Sequence, residues 1–323
     1  MTERAILLFI LIYVYHSISL AQITPVPEDD FVHLFKQIKP TGEIIICHNA
    51  LSVNNSGGHL QGVQIIERDE KRYFLVTGSS DSYAYFAILK ASGNCESISV
   101  NKIMDKPYKH AGGFQVYENL MAIGVEDNEA KDKSKIFIYD IDNPEMVPYK
   151  PLTIVERKGD YKRATAGCVG ITRFKGDLLL VVGDWDSRHL DFYKAPYSNL
   201  DKEDLFFTLV YSLDMESVNR QNWIDSKWLS YQNINLFTDE KDQLYLIGTT
   251  SEDNNTEIAD LFEITMNNTS PYSMEKRVTL SLKGQENTRF RWGSGIEFTG
   301  GRVLKIISCG KNLTEHSSFT IYK

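Results

Sequence analysis

The sequence predicts an all-β fold in which five four-stranded antiparallel sheets stand in a closed ring. Three observations predict it. A glycine–apolar–polar triplet recurs through the chain, a strand usually ending in glycine follows each triplet, and a spare strand near the N-terminus matches a strand missing at the C-terminus. The composition, 42% hydrophobic and 24% charged, allows enough apolar burial to offset the entropy of ordering and so excludes a disordered chain. A net charge of −8 argues against a general nucleic-acid binder, which would carry a basic footprint.

Residues 1–21 read as a secretory signal: Arg4, an apolar run from Ala5 to Tyr15, then Ser19-Leu20-Ala21 with the small residues a signal peptidase needs. The alternative is an uncleaved anchor, but His16 and Ser17 cut the run below the ~20 residues that span a bilayer. Gln22, not Cys, follows, so no lipid anchor is expected and residues 22–323 form one secreted or periplasmic domain without a later membrane span. Cys47, Cys95, Cys168 and Cys309 allow three disulfide pairings in an oxidising compartment, or inert buried thiols. None sits at C-x-x-C spacing, so no zinc knuckle or redox motif is indicated. Sequons stand at Asn54, Asn254, Asn267, Asn268 and Asn312.

The first run with strand character is Glu43–Cys47. The triplets follow: Gly62-Val63-Gln64, Gly113-Phe114-Gln115, Gly170-Ile171-Thr172, Asn233-Ile234-Asn235 and Gly295-Ile296-Glu297, roughly fifty to sixty residues apart. Second strands are expected at Tyr73–Gly78, Leu120–Gly124, Leu178–Gly183, Leu244–Gly248 and Val303–Ile307. Third strands are expected at Tyr83–Leu89, Lys135–Ile141, Leu190–Lys194, Asp260–Thr265 and Ser318–Tyr322. Fourth strands come only at Ser97–Met104, Leu152–Glu156, Phe206–Leu213 and Arg277–Leu282, because the chain ends at Lys323. Glu43–Cys47 supplies the missing one, and a ring closed that way leaves fewer exposed sheet edges.

This pattern resembles the five-bladed β-propeller architecture over nearly the whole mature chain. A pair of β-sandwiches is the competing arrangement, and six blades a further one. Signature motifs of the best-known propeller repeats are missing: there is no blade-closing Trp-Asp, no regular Gly-Gly doublet and no S-x-D-x-G-x-T-W box. Five-bladed propellers as a class include glycosidases, phosphatases and lectins, so the resemblance alone selects no activity.

In such a ring the first strand of each blade lines the channel, and alternation gives the third triplet residues one environment. Gln64, Gln115, Thr172, Asn235 and Glu297 are all polar, which implies a hydrogen-bonded lining, either a structural plug or a ligand or cation site. Loops entering first strands and leaving second strands share one face. That face gathers His59, His110, Asp81, Glu126, Asp127, Asp184, Trp185, Asp186, Arg188, His189, Tyr231, Arg289, Arg291 and Trp292, with Trp223 and Trp228 on the long segment Ser217–Ser230.

Two functions fit these residues. In the first, the chain is a binding module whose Trp185, Trp223, Trp228 and Trp292 stack on sugar rings or grip a protein, with Arg289 and Arg291 holding a local carboxylate. The alternative is a secreted hydrolase, a glycosidase or a metal-assisted ester hydrolase. Its acid would be Glu297, raised by burial, and its partner Asp127 or Asp184; a metal-assisted version would use His59, His110 and a carboxylate. No G-x-S-x-G, H-E-x-x-H, EF-hand or phosphate-loop motif occurs, and the sequence identifies neither cofactor nor ligand.

Overall fold

The computed structural model describes residues 30–48, 53, 58–91, 95–146, 149–200, 205–252, 255–266, 273–299 and 303–323. The signal-like segment and the sequons other than Asn312 lie outside the described residues. The helical structure among them is one seven-residue helix, α1 (Asp30–Lys36), and two short 3-10 turns at Trp185–Ser187 and Tyr197–Asn199. None of it is long and apolar enough to cross a membrane.

Strand β1 spans Glu43–His48. Four antiparallel meanders follow. The first runs β2 (Leu60–Arg68), β3 (Lys71–Ser79), β4 (Tyr83–Lys90) and β5 (Glu96–Asp105). The second runs β6 (His110–Tyr117), β7 (Leu120–Glu126), β8 (Lys133–Asp140) and β9 (Pro151–Lys158). The third runs β10 (Cys168–Phe174), β11 (Asp177–Gly183), β12 (His189–Pro196) and β13 (Thr208–Asp214). The fourth runs β14 (Asn233–Thr238), β15 (Leu244–Ser251), β16 (Thr256–Thr265) and β17 (Ser273–Lys283). Then come β18 (Arg289–Thr299), β19 (Val303–Cys309) and β20 (His316–Tyr322), and β1 pairs antiparallel with β20, Glu43 opposite Ile321 and His48 opposite His316.

The arrangement is that of a β-propeller. First strands pack on one another, and two neighbouring pairs touch in parallel, Gly62 beside Ser294 and Gly113 beside Cys168. Such close approach explains the triplet glycines: a Cβ on Gly295 would overlap the carbonyl oxygen of Val63, and one on Gly113 would overlap the Asn233 side chain. Between the sheets lie separate apolar layers, each built from the alternating inward faces of two neighbouring sheets; Phe74 stacks on Phe319 at 4.3 Å where the first and last sheets meet.

Two features were not read from the sequence. Helix α1 buries Phe31 and Phe35 against Tyr245, Phe237 and Phe298, the rings of Phe31 and Tyr245 stacking at 4.9 Å, and so covers the seam between β15 and β18. The cysteines form one disulfide, Cys47–Cys95, between β1 and the residue preceding β5, while Cys168 and Cys309 are buried thiols. The fourth strand expected from Phe206 begins at Thr208 instead, leaving Phe206 71% exposed.

Candidate functional site

Of the channel residues, Gln64, Gln115 and Asn235 interlock. Gln64 Nε2 donates to Asn235 Oδ1 at 2.9 Å and to the Phe114 carbonyl at 3.1 Å. Gln115 Nε2 donates to the Leu236 carbonyl at 2.7 Å, and its Oε1 accepts from the backbone amides of Ile171 and Leu236. Thr172 is buried, its hydroxyl 3.5 Å from that of Thr238. These bonds join strands from different sheets across the axis, so the polar lining here holds backbones together.

The lining separates two cavities that share no residue. One, of about 410 Å³, lies at the end where first strands leave the channel and is lined by Gln64, Glu67, Arg68, Gln115, Tyr117, Thr172, Phe237, Glu297 and Phe298 among others. The other, of about 340 Å³, lies at the end where first strands enter. It is lined by His59, Gln61, His110, Glu126, Asn128, Gly167, Asp184, Trp185, Asp186, Ser230–Gln232, Arg291 and Trp292. This upper cavity gathers most of the loop-face residues expected from the sequence.

Glu297 is therefore not brought together with Asp127 or Asp184. It opens on the lower cavity, where its Oε2 accepts from Arg72 Nη2 at 2.7 Å and Lys305 Nζ at 3.0 Å. Two cations on one carboxylate make a structural ion pair, unlike the isolated buried acid expected. Asp127 is absent from the upper lining; it caps its own turn, Oδ1 accepting from the amides of Glu129 and Ala130 and Oδ2 facing Lys133 at 3.0 Å. Burial opposes these bonds, yet their sum holds its carboxyl below the usual range. Arg289 also lies elsewhere, with Nε on the buried Glu257 carboxylate. Trp223 and Trp228 pack around Phe262 and Tyr231, and their indole nitrogens donate to the carbonyls of Met274 and Ser187.

In the upper cavity one amide organises the two histidines. Gln61 Nε2 lies 3.3 Å from His59 Nε2 and 3.0 Å from His110 Nε2. Acceptance at His59 Nε2 places that imidazole's proton on Nδ1, directed at the Leu60 carbonyl (2.5 Å), while His110 Nδ1 lies 3.1 Å from Glu126 Oε1 without the alignment of a hydrogen bond. Glu126 is fully buried, and its Oε2 accepts from the Ala166 amide at 2.8 Å. Burial lowers the pKa of His59, helped by the positive charges of Arg291 and Lys311 and opposed by its bond to Leu60. Among the described residues no three His, Cys, Asp or Glu side chains are grouped to hold a metal ion.

The remaining acids are Asp186, in the turn Trp185–Ser187, and Asp184, just before it. Asp184 is 3% exposed; its Oδ1 accepts from the His189 amide at 2.9 Å and its Oδ2 lies 2.7 Å from His189 Nδ1. Burial pushes the Asp184 carboxyl up, and the His189 contacts offset only part of that rise. Asp186, at φ 65°, pairs with Arg188 at 3.0 Å and accepts from Ser230 Oγ at 3.1 Å. Trp185 and Trp292, both half-buried, frame the cavity, with His59 edge-on to Trp292 at 5.4 Å.

No protein-family model matches the sequence, and no curated protein matches it. Solved structures do resemble the chain. One is a family-43 β-xylosidase/α-arabinofuranosidase from a compost microbial metagenome in complex with xylotriose (TM-score 0.47, 10% identity, covering 79% of this chain and 86% of that one). Another is an α-L-arabinofuranosidase from Podospora anserina in complex with cellotriose (TM-score 0.48, 8% identity, 88% and 98%). A third is the catalytic domain of a family-62 α-L-arabinofuranosidase from Coprinopsis cinerea (TM-score 0.48, 9% identity, 88% and 97%).

Sequence reading missed the role of Gln61, which lies on the face with His59 by simple alternation. It also preferred Asp127 to its neighbour Glu126. The apolar pattern of β7 stops at Gly124, whereas the strand continues to Glu126, paired with Ser134 and His110. That extension carries Glu126 into the cavity.

Proposed function

We propose that the chain is a secreted five-bladed β-propeller, closed by β1 as the outer strand of the last blade, that hydrolyses a glycoside bound in the upper cavity. The observation that carries this reading is the convergence of two buried carboxyl groups, Glu126 and Asp184, with two half-buried tryptophans on one cavity. Glycoside hydrolysis needs one carboxyl group kept protonated to donate to the leaving oxygen and a second to assist the attacking water or sugar carbon. Asp184, its pKa raised by burial, suits the donor role, and Glu126 is the partner. Trp185 and Trp292 supply apolar faces of the kind on which sugar rings stack.

A second reading, glycan binding without turnover, draws on a specific observation: each cavity carboxylate already has a protein partner. Assay of the mature chain on a panel of aryl glycosides and oligosaccharides tests both. Hydrolysis is expected from the wild type and lost by about a hundredfold or more in Asp184→Asn and Glu126→Gln, with substrate affinity retained. Binding with no turnover by the wild type would select the second reading, and neither binding nor turnover on any sugar would refute both.

A further inference from the structure

The upper cavity carries a feature that glycoside hydrolysis does not require. The chain is acidic overall, at −8, yet the two tryptophans at this mouth are each attended by two cations. Lys131 Nζ lies 3.6 Å and Lys162 Nζ 6.0 Å from the Trp185 ring centre. The Arg291 guanidinium lies 4.5 Å and Lys311 Nζ 5.1 Å from that of Trp292. Among the described residues none of these four has an ion pair with a carboxylate; Arg291 and Lys311 are exposed, but Lys131 and Lys162 are half-buried, and most other buried or half-buried cations do have one. The nearby acids do not neutralise them: Glu126 faces the Ala166 amide and His110, Asp184 faces His189, and Asp186 faces Arg188.

The lysine positions are also costly to hold. Lys131 (φ 55°) and Lys162 (φ 65°) both occupy the left-handed region, where a non-glycine residue carries strain of order 1 kcal/mol. A chain of backbone bonds fixes them over one indole: Lys162 N donates to the Lys131 carbonyl at 2.6 Å, and Trp185 N to the Lys162 carbonyl at 3.3 Å. Glycine would relieve both positions, yet the sequence places a long cation at each. A neutral sugar stacking on Trp185 has to displace a lysine that gains nothing in return. A sugar bearing a negative group keeps the cation and gives it the counter-charge it lacks. Trp292 also borders an open cavity of about 820 Å³ beyond the mouth, lined by Lys311, His48 and His316 among others, which leaves room for further units of an oligosaccharide.

We infer that the ligand is an acidic oligosaccharide whose carboxylate or sulfate groups are held by Lys131, Lys162, Arg291 and Lys311 at the mouth of the upper cavity. The inference rests on the glycan reading above and adds the class of sugar. The test is titration calorimetry of the mature chain with three tetrasaccharides in parallel: a neutral galactan, a galacturonate and a sulfated galactan. At least one acidic tetrasaccharide is expected to bind about tenfold or more tighter than the neutral one, the discrimination one charge-assisted hydrogen bond supplies, and to weaken as salt is raised. The double variant Lys131→Gly, Lys162→Gly should lose most of that preference, Arg291 and Lys311 remaining, while melting no lower than the wild type, because glycine suits both backbones. Preference for the carboxylated or for the sulfated sugar identifies the group recognised. Equal or tighter binding of the neutral tetrasaccharide overturns the inference and leaves the glycan reading standing. An acidic preference undiminished in the double variant overturns the assignment to these lysines. Binding of none of the three removes the glycan reading, and this inference with it.

Discussion

Replacing Cys47 and Cys95 by alanine should lower the melting temperature by about 6 °C. The disulfide spans a sequence separation of 48 residues, and chain entropy assigns a loop of that size about 4 kcal/mol. A chain of 323 residues gains roughly 0.7 kcal/mol/K of entropy on unfolding, so about 4 kcal/mol corresponds to about 6 °C. Structurally the bond ties the strand that pairs with β20 to the outer strand of the first meander, and without it β1 is held by β20 and its own packing. Calorimetry of the oxidised chain, the reduced chain and the alanine pair measures the effect. Reductant acts on this one bond, because Cys168 and Cys309 are already thiols. Alkylating the unfolded, unreduced chain should mark those two alone. A melting temperature indifferent to reductant, or label on Cys47 or Cys95, would rule out a stabilising Cys47–Cys95 bond.

Other outcomes follow from the same contacts. Gln115→Leu should cost about 2–5 kcal/mol in denaturant unfolding, because the amides of Ile171 and Leu236 lose their acceptor in the interior; a cost under about 0.5 kcal/mol would show that the lining does not bind the sheets together. Trp223→Ala should destabilise by about 3–5 kcal/mol without weakening ligand affinity, whereas Trp292→Ala should weaken affinity with little effect on melting. For His59 the folded pKa lies below the free value of 6.5, so the unfolded chain takes up the proton first as pH falls. Its contribution is complete above pH 6.5 and is lost as pH falls from there through the lowered value; His59→Gln should flatten that part of the stability profile. His189→Ala removes a side-chain contact that lowers the Asp184 carboxyl, so the alkaline limb of the rate profile should move to higher pH, and movement the other way would contradict the role given to Asp184.

Much of this molecule is legible in its residues, and the limits have physical causes. Short runs of β-branched and aromatic residues punctuated by glycine placed the strands to within a few residues, because burial on both faces of these sheets demands continuous apolar runs. Of the polar third residues of the triplets, Gln64, Gln115 and Asn235 meet in one hydrogen-bonded lining. Sequence did not report that Glu297, unlike Gln64 and Gln115, reaches sideways to Arg72 and Lys305, since those cations come from β3 and β19. Helix α1 left a signal in Phe31 and Phe35, four residues apart, too short to stand out. Cysteine pairing depends on which outer strands are neighbours, and the sequence does not state that. Lys131 and Lys162 were invisible for the same reason, lying far along the chain from Trp185 until backbone bonds draw them over its indole.

The two ends of the channel offer competing carboxylates, and substituting one at each end decides between them. On an oligosaccharide that the wild type cleaves, Asp184→Asn should abolish turnover while Glu297→Gln leaves kcat and KM unchanged. Turnover that survives Asp184→Asn and disappears in Glu297→Gln would place the chemistry at the lower mouth and contradict the account.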